Sequence, residues 1–218
     1  MKTLIVVPAY NEATTIAQVL NAFGETYDVV VVDDGSIDGT GEIARAGGAT
    51  ILRHVVNRGL GAALRTGFAY AIQQGTYDFV VTLDADGQHD PAEINNFIEA
   101  LSQGADVVIG KRELADMPLI RQGYNAAGAI ITTALFGGPL TDSQSGFRAF
   151  RVSKLCDFRL MTSRMEISSE IIAEAYRVGA KIKQIPISIK YTEYSMSKGQ
   201  GFLEGLRTLW RLVLKSFA

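Results

Sequence analysis

Hydrophobic and polar positions divide the first half of the chain into two kinds of block. Short runs of Val, Ile and Leu alternate with longer segments whose apolar residues recur at helical spacing. The short runs are continuous rather than alternating, which is typical of parallel strands buried on both faces. The predicted strands span residues 3–7, 28–33, 49–54, 78–83 and 105–110, and the predicted helices about 12–23, 38–47, 60–73 and 91–102. This order predicts an α/β fold with a mainly parallel central sheet flanked by helices.

The pattern changes after residue 116. The second part contains a mostly apolar helical segment, a polar loop with a following strand, a second helix, a strand and a last helix. These helices are predicted at 120–136, 166–178 and 202–217, and the last strand at 182–190. We predict one domain at residues 1–198, with halves at 1–115 and 116–198, and an amphipathic helix at 199–218.

Composition narrows the class of protein. The 218 residues suit one domain, and 47% hydrophobic with 20% charged residues is ordinary for a globular protein. A net charge of −2 argues against a nucleic-acid binder. The single cysteine, Cys156, lies in an apolar context where we expect packing, and it favours a reducing, cytoplasmic compartment. No run of 18 apolar residues predicts a membrane span.

Polar motifs follow four of the predicted strands where each strand ends. Ligands of such sheets collect at the carboxyl ends of the strands. We therefore expect the four motifs to form one site. They are Pro8–Glu12, Asp33–Ser36, Asp84–Gln88 and Gly110–Arg112.

The motif after the fourth strand, Asp84-Ala85-Asp86-Gly87-Gln88, predicts a metal site. Residues two apart in an extended segment point to the same side, so the two carboxylates converge. Like charges this close repel unless a proton or a cation lies between them. Mg²⁺ or Mn²⁺ is the expected ion, since both prefer oxygen ligands.

Three other interpretations of this motif are available. A calcium-binding EF-hand loop requires glycine at its sixth position, whereas Gly87 is fourth. Phosphatases of the haloacid-dehalogenase type also have a strand ending in two aspartates, but place Thr or Val where Gln88 stands. A pair of helix-capping aspartates is the structural alternative, but Asp90 before Pro91 already fits an N-cap followed by proline.

Together the motifs resemble family 2 glycosyltransferases of the GT-A fold. The most similar subgroup is the polyprenyl-phosphate glycosyltransferases, which include dolichyl-phosphate mannose synthase. The resemblance covers residues 1 to about 210 and implies that residues 1–115 bind a nucleotide sugar and that 116–198 form the acceptor side. It rests on Pro8–Glu12, Asp33–Ser36, Asp84–Asp86 with Gln88, and Asp142–Phe147.

The resemblance also implies roles for individual residues. The nucleotide pocket is implied at Pro8, Tyr10, Glu12, Val32 and Asp34. Metal and diphosphate contacts are implied at Asp84, Ala85, Asp86 and Gln88, with Asp84, Asp86 and Gln88 as the metal site. Phosphate contacts are implied at Arg112, Arg121 and Lys198. The implied catalytic residues are Asp86, Arg112 and Asp142. Ser145 and Gly146 are implied to shape a loop near the donor. Structural roles stay open for Pro8 as a strand end, for Glu12 in a helix first turn, and for the arginines as surface charges.

The implied reaction is a metal-dependent, inverting transfer of a hexose from a GDP- or UDP-sugar to a polyprenyl phosphate, dolichyl or undecaprenyl. An anionic phosphate acceptor needs positioning more than a general base. One alternative is a saccharide or other hydroxyl acceptor, for which Asp142 would be the base; another is a non-catalytic nucleotide-sugar-binding module. Relatives carry a basic residue four positions before Lys198, where this chain has Tyr194. Two interpretations stay open: the phosphate contact has shifted to Lys198 or Lys190, or the acceptor differs.

The chain lacks the membrane-spanning helices that follow the catalytic domain in many relatives, so we expect peripheral contact with the cytoplasmic face of a membrane. The predicted last helix has a basic stripe at Arg207, Arg211 and Lys215. Residues 198–218 carry a net charge of +3. Two interpretations of this helix stay open, packing on the core and binding to a lipid surface.

His54 and His89 have no partner at metal-ligand spacing and are interpreted as structural or incidental.

Overall fold

The computed structural model describes residues 1–112 and 145–190. Seven strands of these residues form one sheet in the order β3-β2-β1-β4-β6-β5-β7. The five predicted strands of the first half are all present. The strands are β1 Thr3–Ala9, β2 Asp28–Asp33, β3 Thr50–Arg53, β4 Phe79–Thr82, β5 Val107–Arg112, β6 Arg148–Arg151 and β7 Ile182–Ile187.

The sheet is mainly parallel, as predicted. β1 pairs in parallel with β2 and β4, β2 with β3, and β5 with β7. β6 runs antiparallel between β4 and β5, with Arg148 opposite Thr82 at the carboxyl end of β4. The start of β6 therefore lies at the same edge of the sheet as the acidic motif that follows β4.

The predicted helices of the described residues are present. The helices are α1 Ile16–Phe23, α2 Thr40–Ala46, α3 Leu60–Gln74, α4 Ile94–Ser102, α5 Val152–Leu155 and α6 Ile167–Arg177. α1, α2 and α4 begin two to four residues later than predicted, and α5 was not predicted. A 3₁₀ turn at Pro91–Glu93 precedes α4, and Asp90 accepts a hydrogen bond from the N–H of Ala92 at 3.0 Å. The predicted N-cap at Asp90 is confirmed.

Helices cover both faces of the sheet. On one side Ile5, Val7 and Val31 pack with α1, α2 and α4. On the other side Leu4 and Val6 pack with α3, α5 and α6. Alternate residues of β1 thus enter different cores, and all but Pro8 are buried, which explains why the strand sequences are continuously apolar.

Some expectations were wrong or lie outside the described residues. Cys156 follows α5 and is exposed, so the expectation that it packs was wrong; its neighbour Leu155 is buried instead. β7 ends at Ile187, and beyond it Ile189 forms only a single bridge with His89. The helices predicted at 120–136 and 202–217 lie outside the described residues. Within 1–112 and 145–190, no helix has the length and apolar character needed to span a membrane.

Candidate active site

The acidic loop begins where β4 ends. Leu83 and Ala85 are buried in the core, and the aspartates alternate with them, so the alternation that predicts two carboxylates on one side extends past the strand. Gly87 then turns the chain with a φ of +74°, a left-handed conformation that favours glycine. Asp84 and Asp86 are left at the carboxyl edge of the sheet.

The two carboxylates are close enough for the charge of one to shift the pKa of the other. Burial and the negative charge of Asp84 raise the pKa of Asp86 to about 6, and the charge of Glu12 contributes in the same direction. Desolvation also raises the pKa of Asp84, but contact with His89 and the positive charges of Arg148 and Arg112 outweigh it and lower that pKa. A cation bound between the two carboxylates would offset the repulsion between them.

Gln88 contacts the second aspartate of the pair. Its side-chain nitrogen donates to Oδ2 of Asp86 at 2.6 Å, and its main-chain N–H donates to Oδ1 at 3.0 Å. Gln88 thus orients Asp86 through both oxygens. Its predicted part as a metal ligand stays a prediction.

The loop before β6 packs directly on the first aspartate. A methyl group added at Gly146 would lie 2.2–2.5 Å from the carboxylate atoms of Asp84. The hydroxyl of Thr82 donates to the carbonyl of Gly146 at 2.8 Å and ties the two segments together. Gly146 therefore contacts Asp84, and its predicted closeness to the donor stays a prediction.

Two residues beside the acidic pair were not predicted as part of the site. His89 places Nε2 3.5 Å from Oδ2 of Asp84, and Arg148, which is 2% exposed, acts on the same carboxylate through its charge. Arg148 carries a weak signal in the sequence, because it is a charged residue within the apolar strand segment Phe147–Phe150. His89 carries no such signal.

The loops after β1 and β2 are joined by hydrogen bonds. The N–H of Asn11 donates to the hydroxyl of Ser36 at 2.9 Å, and the N–H of Ile37 donates to the side-chain oxygen of Asn11 at 3.0 Å. Asn11 has a φ of +54°, which asparagine tolerates better than most residues. Two of the four predicted motifs therefore form one surface.

The predicted nucleotide residues differ in exposure on this surface. Tyr10 is 44% exposed, while Pro8 and Glu12 are partly buried. The carboxylate of Glu12 accepts a hydrogen bond from the hydroxyl of Thr15 at 3.1 Å. The side chain of Val32 lies in the core and is fully buried, which leaves only its main chain for any ligand contact.

The carboxylate of Asp34 forms hydrogen bonds with other groups of the protein. The residue is 3% exposed, and its oxygens accept hydrogen bonds from the N–H groups of Arg58 and Gly59 at 2.9 and 2.7 Å. Nδ1 of His54 lies 2.6 Å from Oδ1 of Asp34, and Nε2 lies 2.9 Å from the hydroxyl of Thr66. The structural interpretation of His54 is confirmed. The predicted contact between Asp34 and a nucleotide stays a prediction.

We expect Asp34→Ala to lower the free energy of unfolding by about 2–4 kcal/mol, because His54 and two N–H groups would lose a buried partner. Urea denaturation followed by circular dichroism measures this loss. Asp157→Ala is the control, since Asp157 is exposed. Equal stability of the two variants would contradict the structural role of Asp34.

The predicted phosphate-binding arginines are only partly described. Arg112 is the last residue of β5, opposite Ile187, and its charge acts on Asp84. It therefore lies at the expected edge of the sheet. Arg121, Asp142 and Lys198 lie outside the described residues, so their predicted roles stay predictions.

The residue types at this edge fit a hard divalent cation. Two carboxylates supply oxygen ligands here, and burial together with the charge of Asp84 raises the pKa of Asp86 to about 6. Within 1–112 and 145–190, no group of three His, Cys, Asp or Glu side chains is arranged as a metal centre. Asp84 and Asp86 would be the protein ligands.

The sequence model of Glycosyl transferase family 2 matches residues 4–156, well over half of the chain. The chain is a family 2 glycosyltransferase. The matched residues include β1 through β6 and the acidic loop, so the family assignment and the candidate active site concern the same part of this glycosyltransferase.

Relatives with named functions match nearly the whole glycosyltransferase. It is 34% identical to a UDP-N-acetylglucosamine–dolichyl-phosphate N-acetylglucosaminyltransferase of Methanococcus voltae, covering 96% of this chain and 94% of the relative. It is 32% identical to an undecaprenyl-phosphate mannosyltransferase of Micrococcus luteus, covering 94% and 90%. Its homologues thus include polyprenyl-phosphate sugar transferases.

A solved structure shares the fold. Glucosyl-3-phosphoglycerate synthase of Mycobacterium tuberculosis, crystallised with Mn²⁺, UDP and glucosyl-3-phosphoglycerate, superposes with a TM-score of 0.77 at 20% identity. The match covers 99% of this chain and 79% of the synthase. The predicted GT-A fold is confirmed.

Proposed function

We propose that this glycosyltransferase moves a hexose from a nucleoside-diphosphate sugar to a polyprenyl phosphate with the aid of Mg²⁺ or Mn²⁺. The observation that carries the proposal is the carboxylate pair at the carboxyl edge of β4, where the pKa of Asp86 is raised to about 6. Two neighbouring carboxylates suit a divalent cation bound to a diphosphate. The acceptor class is supported by relatives named for dolichyl and undecaprenyl phosphates.

The departing nucleoside diphosphate accumulates negative charge, and a bound cation would offset that charge as a Lewis acid. Asp84 and Asp86 would hold the cation, and Gln88 keeps Asp86 oriented through its two hydrogen bonds. Arg112 adds a fixed positive charge beside the pair and would contact phosphate oxygens through its planar donors. The protein's part is to fix these charges before the donor arrives.

An acceptor phosphate is already a nucleophile at neutral pH, so the reaction needs alignment rather than proton removal. Direct attack on the anomeric carbon from the side opposite the diphosphate would invert its configuration. Tyr10, Glu12 and the joined loops after β1 and β2 would hold the nucleotide away from the bond that breaks. The acceptor would enter from the side of residues 116–198.

A donor screen tests this proposal. GDP- and UDP-hexoses are incubated with the protein, Mg²⁺ or Mn²⁺ and a short polyprenyl phosphate, and the released nucleoside diphosphate is measured. We expect release that requires both metal and acceptor. Release with the matched polyprenyl alcohol, but not with the phosphate, would favour the hydroxyl-acceptor alternative. Donor binding without release for any acceptor would favour a non-catalytic module.

We expect the stabilisation by Mn²⁺ to decline as the pH falls below about 6. Burial and the charge of Asp84 raise the pKa of Asp86 to about 6, above the value of about 3.9 for an unfolded chain. This group therefore stabilises the metal-free fold at low pH, and that contribution is lost as the pH rises through 6. Protons and Mn²⁺ compete for the same carboxylate, so affinity should fall by up to about tenfold per pH unit.

The melting temperature between pH 5 and 8, with and without Mn²⁺, measures this competition. Asp86→Asn is the matched control, because its amide neither titrates nor attracts the ion. We expect the variant to show no change in the Mn²⁺ effect near pH 6. A wild-type Mn²⁺ effect that is constant over this range would contradict the assignment of Asp86.

The acceptor class decides what Asp142→Asn should do. For a phosphate acceptor we expect measurable turnover and a pH profile with no new basic limb. For a hydroxyl acceptor, loss of the general base should lower kcat by roughly 100-fold or more. The pH dependence of kcat in wild type and variant measures the difference, and we expect the milder outcome.

Peripheral membrane contact is part of the same proposal. A polyprenyl phosphate stays in the bilayer, so the transferase must reach the lipid surface. The net charge of +3 over residues 198–218 and the basic stripe of the predicted last helix support attraction to anionic headgroups. The cytoplasmic face is the expected location.

A further inference from the structure

His89 occupies a fixed position behind the acidic pair. Its main chain forms a bridge with Ile189, and the adjoining carbonyl of Gln88 accepts a hydrogen bond from the N–H of Lys190 at 2.9 Å. The loop after β4 is thereby attached to the segment after β7. The backbone of His89 is held from outside its own loop.

The imidazole ring of His89 is packed as well as held. Its side chain is 4% exposed, and its centroid lies 5.3 Å from that of Phe147 at an angle of 56°. Phe147 is itself stacked on Phe97 at 3.9 Å with an angle of 11°. A ring packed against this aromatic pair has little freedom to rotate.

The two nitrogens of this ring have different surroundings. Nε2 is directed at the acidic pair and lies 3.5 Å from Oδ2 of Asp84. Nδ1 is buried, and no hydrogen-bond partner reaches it from the residues that the structure describes. A buried nitrogen without a partner opposes folding. Phenylalanine would fill the same space without that penalty, so packing alone does not account for histidine here.

Asp84 is confined on a second side by Gly146, whose Cα leaves no room for a methyl group. The side chain of Asp84 is still 39% exposed, so an ion can reach it. We infer that His89 is a positioning residue, which uses Nε2 to hold the Asp84 carboxylate in the orientation that a divalent cation requires. Partners of this kind fix the geometry of metal-binding side chains in other proteins. The inference rests on the proposed function.

Three substitutions separate positioning from packing. His89→Phe keeps a ring against Phe147 but removes both nitrogens. His89→Gln places an amide near the position of Nε2, whereas His89→Asn places one near Nδ1. The Gln and Asn variants form a matched pair of equal polarity that differs in which nitrogen is replaced.

Mn²⁺ binding is measured at pH 7.5 from the electron paramagnetic resonance signal of free Mn²⁺, with UDP or GDP present. We expect His89→Phe and His89→Asn to bind Mn²⁺ at least about 10-fold more weakly than wild type, and His89→Gln to recover most of the affinity. The metal-free melting temperature of His89→Phe should equal or exceed that of wild type. If the Phe variant does not fold, the difference in Mn²⁺ affinity between the Gln and Asn variants tests the inference.

Wild-type Mn²⁺ affinity in the Asn variant, or equal weakening in the Asn and Gln variants, would overturn the inference, because the contact of Nε2 would then not matter. A different result concerns the proposed function itself. If the wild-type protein binds no Mn²⁺ with either nucleotide, the metal-dependent mechanism is wrong, and His89 does not orient Asp84 for a cation. The wild-type measurement therefore distinguishes the two failures.

Discussion

Asp86→Ala is expected to lower kcat/KM by at least about 1,000-fold while the fold survives. The variant removes one of two carboxylates at the carboxyl edge of β4, and with it the proposed site for the cation that offsets charge on the leaving diphosphate. Lewis-acid stabilisation of this kind contributes several kcal/mol, and about 4 kcal/mol corresponds to 1,000-fold. Burial and repulsion from Asp84 raise the pKa of Asp86, and removing this carboxylate relieves both, so the metal-free variant should be at least as stable as wild type.

Steady-state transfer and melting temperature are measured on the same preparations. Asp157→Ala is the matched control, because Asp157 is exposed and follows α5, which begins directly after β6 at the opposite edge of the sheet. We expect wild-type transfer from the control. Undiminished turnover by Asp86→Ala in the presence of EDTA would rule out the metal role.

Gly146→Ala should impair transfer by about 100-fold. The added methyl group would lie 2.2–2.5 Å from the carboxylate of Asp84, a separation that real side chains do not adopt. Either the carboxylate or the loop before β6 must move. A displacement of about 1 Å in a reacting group is enough to lose a factor of 100, and overpacking should lower stability by about 1–3 kcal/mol.

Gly47→Ala tests whether a methyl group added at another glycine would also impair transfer. Gly47 has a φ of −77°, and its added methyl would meet the flexible tip of Leu20 at 3.0 Å. We expect near-normal transfer from this control. Wild-type transfer and Mn²⁺ affinity in Gly146→Ala would mean that the position of Asp84 does not depend on the loop before β6.

Most of the fold could be predicted from local sequence. Strands buried on both faces leave an unmistakable continuous apolar pattern, as β1 and β2 show. The placement of four polar motifs at strand ends followed from the same pattern, since ligand sites of such sheets lie at that edge. The pairing of Asp84 with Asp86 followed from the two-residue period of extended chain.

Contacts that depend on loops folding back could not be predicted. His89 lies five residues after Asp84, and only the left-handed turn at Gly87 and the bridge to Ile189 bring its ring behind that carboxylate. Likewise, Asp34 accepts hydrogen bonds from Arg58 and Gly59, which are more than 20 residues away in the sequence. No local pattern encodes such separations.

The most direct test of the proposed function follows the sugar itself. The protein is given a nucleotide sugar labelled in the hexose, Mn²⁺, and either a short polyprenyl phosphate or the matching polyprenol, and the label is extracted into organic solvent. We predict that label enters the organic phase only with the phosphate, and that mass spectrometry identifies a glycosyl-phosphate-linked polyprenol. Label transferred to the polyprenol, or to neither lipid, would contradict the proposed acceptor.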